Sequence, residues 1–479
     1  MNSFISDYYK KLSLPLKASL WFAVSNILVR GISFITLPIF SRILSTEQYG
    51  IVSVYGSWKE IFLIVCTLTL WGGVFNVVIV KNTDQIDRII SSFQGLAVTI
   101  TCIFFAVSIL FIEQVSKLLD MSKILVICMF LDVFAFIPFA LWSGVERYFY
   151  RYKKVMVISI LLPIFNSVLG YIAVTNTQYK AEARIIVGLF LNLIVSIILF
   201  IYIQNKGKAF YDNKYWKTAF EFNVVLIPHY LSLQILSQSD RIMINNICGK
   251  SDAGIYSVAY NFAMLLQLFT SAINSSFTPW IYKKIKDESY NDIRKTTNVI
   301  VFAVAGLSIA MICALPEIFY FMLPEGYYPA IWVIPPVAVG AFFMFLYPLF
   351  GAVEFYYEEN RYVTIASVVG AIVNIILNYI FINRFGYIAA AYTTLLCYIL
   401  FSLAHCIFMR KILKRNKQDI HLYDIKTLAG ISLLTIVFMV VITFLYKNIL
   451  LRWSFVAVIC LILMLNRKKL VNEARILFY

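Results

Sequence analysis

The sequence predicts an all-α integral membrane protein of fourteen transmembrane helices: two parallel six-helix repeats followed by two more helices. Three observations predict it. The 479 residues are 61% hydrophobic and only 14% charged, with a mean hydropathy of +0.81, well outside the composition of soluble domains. Apolar stretches of about twenty residues recur along the whole chain, each long enough to cross a hydrocarbon core of roughly 30 Å as a helix. Two pairs of segments also match one another at nearly the same separation. Alternating ten-residue segments of the β-barrel kind are absent, so helices must satisfy the backbone.

The first span, 16–40, follows Lys10 and Lys11 as a signal peptide would. It is too long and lacks a small-residue cleavage site, so it reads as a retained helix. The second, 48–80, is long enough to tilt or to begin outside the lipid. Spans 88–113, 122–146, 155–176 and 185–204 complete an N-terminal lobe, residues 1–204. The polar stretch NKGKAFYDNKYWKT at 205–218 is a cytoplasmic linker. Spans 219–247, 253–282, 296–322, 329–353, 362–382 and 388–409 make a second lobe, 219–410. The first of these has a polar end from Ser237 to Arg241, which marks it, like the second span, as irregular. Spans 425–446 and 451–466 lie outside the repeat and, with a basic cytoplasmic tail, make up 411–479. Prolines at 38, 138, 163, 228, 279, 335, 336 and 348 interrupt several spans and permit bends.

Orientation follows from the basic residues, because short cytoplasmic loops retain Lys and Arg. With the N-terminus inside, 29 Lys and Arg fall on inward-facing segments and 10 on outward-facing ones, so both termini are cytoplasmic. The net charge of +16 therefore coats one membrane face, where it meets anionic lipid. With no soluble basic domain, nucleic acid is not the expected partner. The eight cysteines fall mainly within apolar spans without a CxxC pair, and imply neither a metal site nor a disulfide framework.

The repeat rests on two correspondences. STEQYGIVSVYG at 45–56 returns 204 residues later as GKSDAGIYSVAY at 249–260. RYKKVMVISILLPIFNSVLGYI at 151–172 returns after 208 residues as ENRYVTIASVVGAIVNIILNYI at 359–380. Six helices, an even number, separate the copies, so both lobes enter the membrane in the same sense, related by an axis along its normal with a cleft between them.

Four stretches carry a family resemblance: SNILVRGISFITLPIFSRILSTEQYGIVSVYGSW at 25–58, GYYPAIWVIPPVAVG at 326–340, LNYIFINRFGYIAAAYTTLLCYIL at 377–400 and, more weakly, ERYFYRYKK at 146–154. They resemble the polysaccharide-transporter (Wzx-type) branch of the multidrug, oligosaccharidyl-lipid and polysaccharide exporter superfamily. The resemblance implies a MATE-like fold in the bacterial inner (cytoplasmic) membrane. It also implies flipping of an isoprenoid-diphosphate-linked (undecaprenyl-diphosphate) oligosaccharide from the cytoplasmic to the outer leaflet by alternating access. The destination is surface polysaccharide, O-antigen of lipopolysaccharide or capsule, with polysaccharide polymerase machinery as a further partner.

Charges in the spans are the candidate site, since each costs about 2.5–3.5 kcal/mol at the bilayer centre. Arg30 and Lys59 both sit roughly 15 Å from the outer face if their helices run straight, and a diphosphate shared between them would relieve their repulsion. The alternative is neutralisation by Glu60 or Asp132, with Glu60 the nearer partner for Lys59. Arg241 is the second lobe's counterpart, with local pairing to Asp240 as its alternative. Arg147 and Arg151, with Lys153 and Lys154, could collect a headgroup at the cytoplasmic mouth, or simply obey the positive-inside rule. Asp132, Glu60 and His229 are candidates for coupling to a proton or sodium ion; salt bridges and interior hydrogen bonds are their alternatives. Asn26, Asn76, Asn166, Asn261, Asn274 and Asn374 could meet sugars or bond helix to helix.

No cofactor or catalytic chemistry is expected. The phosphate-loop-like Gly249-Lys250-Ser251 has Ile244 where the first glycine should stand, and no HExxH motif, nucleophile elbow or triad is found. A flippase is therefore the leading reading. An ion-coupled multidrug or cation antiporter of the same superfamily fits an intramembrane excess of Arg and Lys poorly, and a polymerase or ligase would need a large outside loop.

Overall fold

The computed structural model describes residues 13–416 and 420–465; Lys10, Lys11 and the basic tail lie outside the described residues. Apart from two 3₁₀ segments, Thr83–Gln85 and Glu325–Val333, the described regular structure is α-helical. In order the helices are α1 Leu14–Ile43, α2 Thr46–Thr67, α3 Val74–Lys81, α4 Ile86–Leu110, α5 Ile112–Leu119, α6 Lys123–Tyr148, α7 Tyr152–Thr175, α8 Lys180–Gly207 and α9 Asn213–Val224. They continue as α10 Ile227–Cys248, α11 Lys250–Ala263, α12 Leu266–Lys286, α13 Tyr290–Met322, α14 Ile334–Tyr356, α15 Asn360–Phe385, α16 Ile388–Arg415, α17 Ile425–Leu445 and α18 Ile449–Leu465.

Among the described residues eleven helices are long and apolar enough to span a membrane, or twelve if the α9–α10 pair, bent by 52°, is one span. The chain is a multi-pass membrane protein. The spans that depart from a single helix are the polar or overlong ones. The second breaks after Thr67, where Leu68 and Thr69 take left-handed φ of 51° and 50°, and resumes as α3. The seventh bends ahead of Pro228, which occupies the first turn of α10. The eighth divides into α11 and α12 around Met264 and Leu265, and the fourteenth carries its apolar stretch at Ile449–Val458.

The chain forms two compact units, Met1–Gly254 and Ile255–Tyr479. In the first, α6 is the central element. Its buried residues Met129, Phe130 and Val133 pack with Tyr55, Leu63 and Cys66 of α2 and Ile185 and Leu189 of α8. Lower on the same helix, Leu141 and Trp142 join Ile79 of α3, Phe93 of α4 and Ile203 of α8 in a second core. In the second unit α14 plays that part, with nearly every residue from Ile334 to Glu354 buried, and α16 is its main neighbour.

Element bounds repeat along the chain. Helices α6 and α14 end 208 residues apart, at Tyr148 and Tyr356, and α8 and α16 correspond at both ends with that same separation. The turn after each glutamate is the same: Tyr150 and Glu358 adopt φ of 57° and 59°. The amide of Arg151 donates to Glu146 O at 2.7 Å, and that of Glu359 to Glu354 O at 2.8 Å, the six-to-one bond of a helix C-cap.

Asp212 caps α9 through the amides of Lys214 and Tyr215 and takes Arg88 Nε at 2.9 Å. Burial pushes its carboxyl up, but the Arg88 guanidinium and the two amides outweigh that and hold it below the usual carboxylate range.

The two glycine-bearing stretches 204 residues apart meet within the first unit. A Cβ on Gly50 would stand 1.9 Å from Lys250 O, and one on Gly254 would stand 2.0 Å from Thr46 O. Thr46 and Ser251 place their hydroxyl oxygens 2.8 Å apart. The contact is reciprocal, as in a two-fold interface, and only glycine allows backbones so close. Gly50→Ala should therefore lower the melting temperature, with a loss of about 1–3 kcal/mol. Gly56→Ala, on the same helix with open space around its Cα, should not; equal melting temperatures for the two variants would refute the contact.

Candidate functional site: a charged cavity in the N-terminal unit

Asp132 lies near the middle of α6, and three side chains from two other helices supply it with donors. Lys59 Nζ of α2 stands 3.2 Å from Asp132 Oδ2, the Tyr55 hydroxyl one turn earlier donates to the same oxygen at 3.4 Å, and Asn192 Nδ2 of α8 donates to Oδ1 at 3.1 Å. The two ends of the ion pair differ in access: side-chain exposure is 8% for Asp132 and 27% for Lys59. Both members border the cavity described next, the carboxylate largely covered by its donors and the ammonium with a freer side.

That side faces a cavity of ≈ 460 Å³ lined by Asn26 and Ser33 of α1, Lys59 and Glu60 of α2, Asn166 of α7 and Asn192 of α8, with Phe136 and Phe139 as an aromatic wall. The same two rings line a second cavity of ≈ 600 Å³, which also contains Ser143 and Arg147. Asp132, Phe136, Phe139, Ser143 and Arg147 recur at helical spacing and so occupy one face of α6. This face runs fifteen residues, roughly 22 Å, from the ion pair to the arginine. A molecule with anionic and sugar-like parts would meet cations at both ends and amides and aromatic rings between.

The remaining predicted residues are distributed as follows. Arg30 is exposed and is not among the residues that line the cavity, though it stands one helical turn from the lining residues Asn26 and Ser33. Lys59 pairs with Asp132, correcting the reading in which adjacent Glu60 was the nearer partner. Successive helical residues point about 100° apart, and Glu60 instead accepts from Gln234 Nε2 of α10 at 3.2 Å. Arg241 is buried at 7% exposure and donates to Ser237 O and Gln238 Oε1 at 3.0 and 2.8 Å; it does not line the cavity. Arg147 lies over the Phe22 ring at 5.3 Å. Arg151 is 3.7 Å from Glu146 in a separate cavity beside Asp84, Asp87 and Lys206. His229 sits half-buried in the first turn of α10, its ring 5.5 Å from that of Tyr230.

Sequence reasoning missed Tyr55, Asn192 and Arg184. Arg184, assigned to an outside loop, stacks on Phe40 at 4.2 Å and donates to the Asn166 amide oxygen. It lies one turn inside α8, which begins five residues before the predicted span. Among the described residues no three His, Cys, Asp or Glu side chains come together to hold a metal ion.

A family model described as "Polysaccharide biosynthesis protein" matches residues 16–285, and a second, described as MatE, matches 226–380. A relative from Haemophilus influenzae, "Lsg locus putative protein 1", is 23% identical over 380 residues, 74% of this chain and 88% of its own. Among solved structures, the lipid II flippase MurJ in an inward closed conformation aligns with a TM-score of 0.68 at 17% identity, covering 94% of this chain and 99% of its own. An inward-facing multidrug resistance MATE family transporter of the MOP superfamily aligns with a TM-score of 0.67 at 12% identity, covering 85% and 99%. At these identities the structural likenesses establish the fold.

The ion pair has a measurable consequence of its own. Asp132→Asn leaves Lys59 without its counter-charge and should destabilise the protein by about 1–3 kcal/mol. Adding Lys59→Met should recover part of that loss, giving a coupling of about 0.5–3 kcal/mol in a double-mutant cycle of thermal melts. Strict additivity would show that the two side chains act independently.

Proposed function

Because the chain belongs to the polysaccharide biosynthesis protein family, we propose that it flips an oligosaccharide linked to an isoprenoid diphosphate from the inner to the outer leaflet of the cytoplasmic membrane, for surface polysaccharide. The observation that carries the reading is the single face of α6 that links Arg147 to the Lys59–Asp132 pair past Phe136 and Phe139. A diphosphate needs cations at the points where it rests, and neutral sugars need amides and aromatic surfaces between them.

On this reading Arg147 and Arg151 meet the headgroup on the cytoplasmic side, and Arg30 and Lys59 receive the diphosphate deeper in. Arrival of the diphosphate draws Lys59 from Asp132, which then keeps only the donors Tyr55 and Asn192. A proton from water, or a sodium ion, restores neutrality at Asp132 until the substrate leaves and Lys59 returns. Glu60, on the same cavity wall, is a second acid that could share this exchange. The likeness to a lipid II flippase supports a lipid-linked substrate, and the Lsg relative covers most of both chains. No reaction is assigned, so the protein is read as a transporter without catalytic residues.

A cation antiporter is the second reading, favoured by the Glu60 carboxylate on the cavity wall. The two respond oppositely to a charge reversal at Arg30. For a flippase, Arg30→Glu should cut surface polysaccharide about tenfold or more, the loss of one charge-assisted contact, with lipid-linked units accumulating in the inner leaflet; Arg30→Lys should retain most export. Undiminished polysaccharide in Arg30→Glu cells, at normal protein levels, would remove Arg30 from the binding site. A gain in cation efflux by that variant would favour the antiporter.

A further inference from the structure

The two glutamates that end α6 and α14 at equivalent positions of the repeat have different partners, and the difference is chemical. Glu146 faces Arg151, whose Nη1 is 3.7 Å away and whose side chain is 58% exposed, a permanent cation in water. Glu354, 208 residues later, instead faces an imidazole: its Oε1 is 2.8 Å from His405 Nδ1 of α16, with both side chains at 0% exposure. Phe401 presents its edge to the imidazole at 4.6 Å, and the Tyr347 ring lies 5.1 Å from it. The other two polar atoms, Glu354 Oε2 and His405 Nε2, are buried with no hydrogen-bond partner.

No single protonation state satisfies this pocket. With the carboxylate ionised and the imidazole neutral, Nδ1–H donates to Oε1 and Nε2 is a bare acceptor, but the pair carries a net negative charge away from water. One added proton, at Nε2 or at Oε2, makes the pair neutral and leaves the new N–H or O–H without an acceptor. A buried charge and a buried unpaired donor are each costly, so neither state dominates on polar grounds. An arginine in place of His405 would abolish the choice, because it does not lose its proton.

We propose that Glu354 and His405 form a proton-binding site within the C-terminal unit, a buried link between α14 and α16 that takes up and gives up one proton. Charged and titratable groups on the surrounding elements are Tyr347 of α14, Arg410 of α16, Tyr282 of α12, Arg294 of α13, Tyr362 of α15, and Tyr423 and Asp424 ahead of α17. Tyr347 adjoins the pair through its ring; the others are engaged elsewhere or separate from it. Tyr423 donates to Leu349 O at 2.7 Å, Arg294 donates to His421 O at 2.6 Å, Asp424 caps α17, and none hydrogen-bonds to Glu354 or His405. The supply of protons is close. Met409, one turn beyond His405, lines a cavity of ≈ 330 Å³ with Arg410, Lys414 and His421, three side chains exposed to solvent. This assignment concerns the proton alone and stands whichever substrate is carried.

The test is difference infrared spectroscopy on the full-length protein in lipid nanodiscs, stepping from about pH 8 to about pH 5, the range in which histidine ordinarily titrates. The wild type should show a carboxylic C=O band and imidazole bands that change together. Glu354→Gln should lose both, and His405→Lys, which supplies a permanent charge, should lose the pH response while keeping a wild-type elution profile and melting temperature. Bands that persist unchanged in both variants, or a wild-type spectrum insensitive to the step, would overturn the proposal. Should Glu354→Gln not fold, His405→Lys decides alone. No transported substrate enters these readouts, so failure here leaves the flippase reading standing, and failure of that reading leaves this one.

Discussion

In hydrocarbon a helix carries a charge where a counter-charge, polar groups, an aromatic face or water receive it, and the Lys59–Asp132 ion pair is where the N-terminal unit meets that constraint with an opposite charge. Each charge alone would cost about 2.5–3.5 kcal/mol. Together, with Tyr55 and Asn192 as further donors to Asp132, they bind α2, α6 and α8 into one arrangement. The pair is asymmetric by construction, because the donors crowd the carboxylate and leave the ammonium facing the cavity. A fully sealed pair would be structural only. Half-open, it holds the helices and still offers a cation.

The same rule explains the polar end of α10, which would be out of place in a helix facing lipid. Gln234 donates to Glu60, and Gln238 Oε1 accepts from both Ser57 and Arg241. Farther along, Asn245 Nδ2 and Lys250 Nζ both reach Asp120 Oδ2, at 2.9 and 3.6 Å. The bonds that cross between helices form a ladder from α10 and the start of α11 to the earlier elements of the unit, and the ladder continues into the reciprocal glycine contact at Gly50 and Gly254. Polar residues in a membrane helix are tolerated when another helix answers them, and close backbone approach brings the helices near enough to do so.

Much of this architecture was legible in the sequence, for a physical reason. Span length and apolar content are set by the bilayer, so the helices of each unit could be placed to within a few residues. The repeat, too, survives in the element bounds of α8 and α16. Kinks were less legible: the break after Thr67 begins on two non-glycine residues in left-handed backbone, Leu68 and Thr69, and only its far end carries a turn signal, Gly72-Gly73 with Gly73 at φ 26°. Partnering was least legible of all. Glu60 adjoins Lys59 in sequence, yet Asp132, 73 residues away, holds it, because a helix turns neighbours apart and packing brings distant residues together. Arg184 read as a loop charge because hydropathy does not reveal that Phe40 and Asn166 await it. His405 and Glu354, 51 residues apart, gave no signal for the same reason.

Duplication adds a further layer, because the two copies keep the backbone and change the chemistry. At the ends of α6 and α14 the turn is held by main-chain bonds, Arg151 N to Glu146 O and Glu359 N to Glu354 O, and the glutamate side chains take no part in it. They were therefore at liberty to take different partners while the fold stayed fixed. In the first copy the residue after the turn is Arg151, which pairs with Glu146. In the second that position is Glu359, which pairs instead with Arg415 at the end of α16, and Glu354, lacking a cation from its own turn, is closed over by His405. Opposite charges at one turn position thus accompany different partners for the two glutamates, an arginine in water in one repeat and a buried imidazole in the other. There the partner's identity decides whether the glutamate meets a fixed cation or a group that can gain and lose a proton.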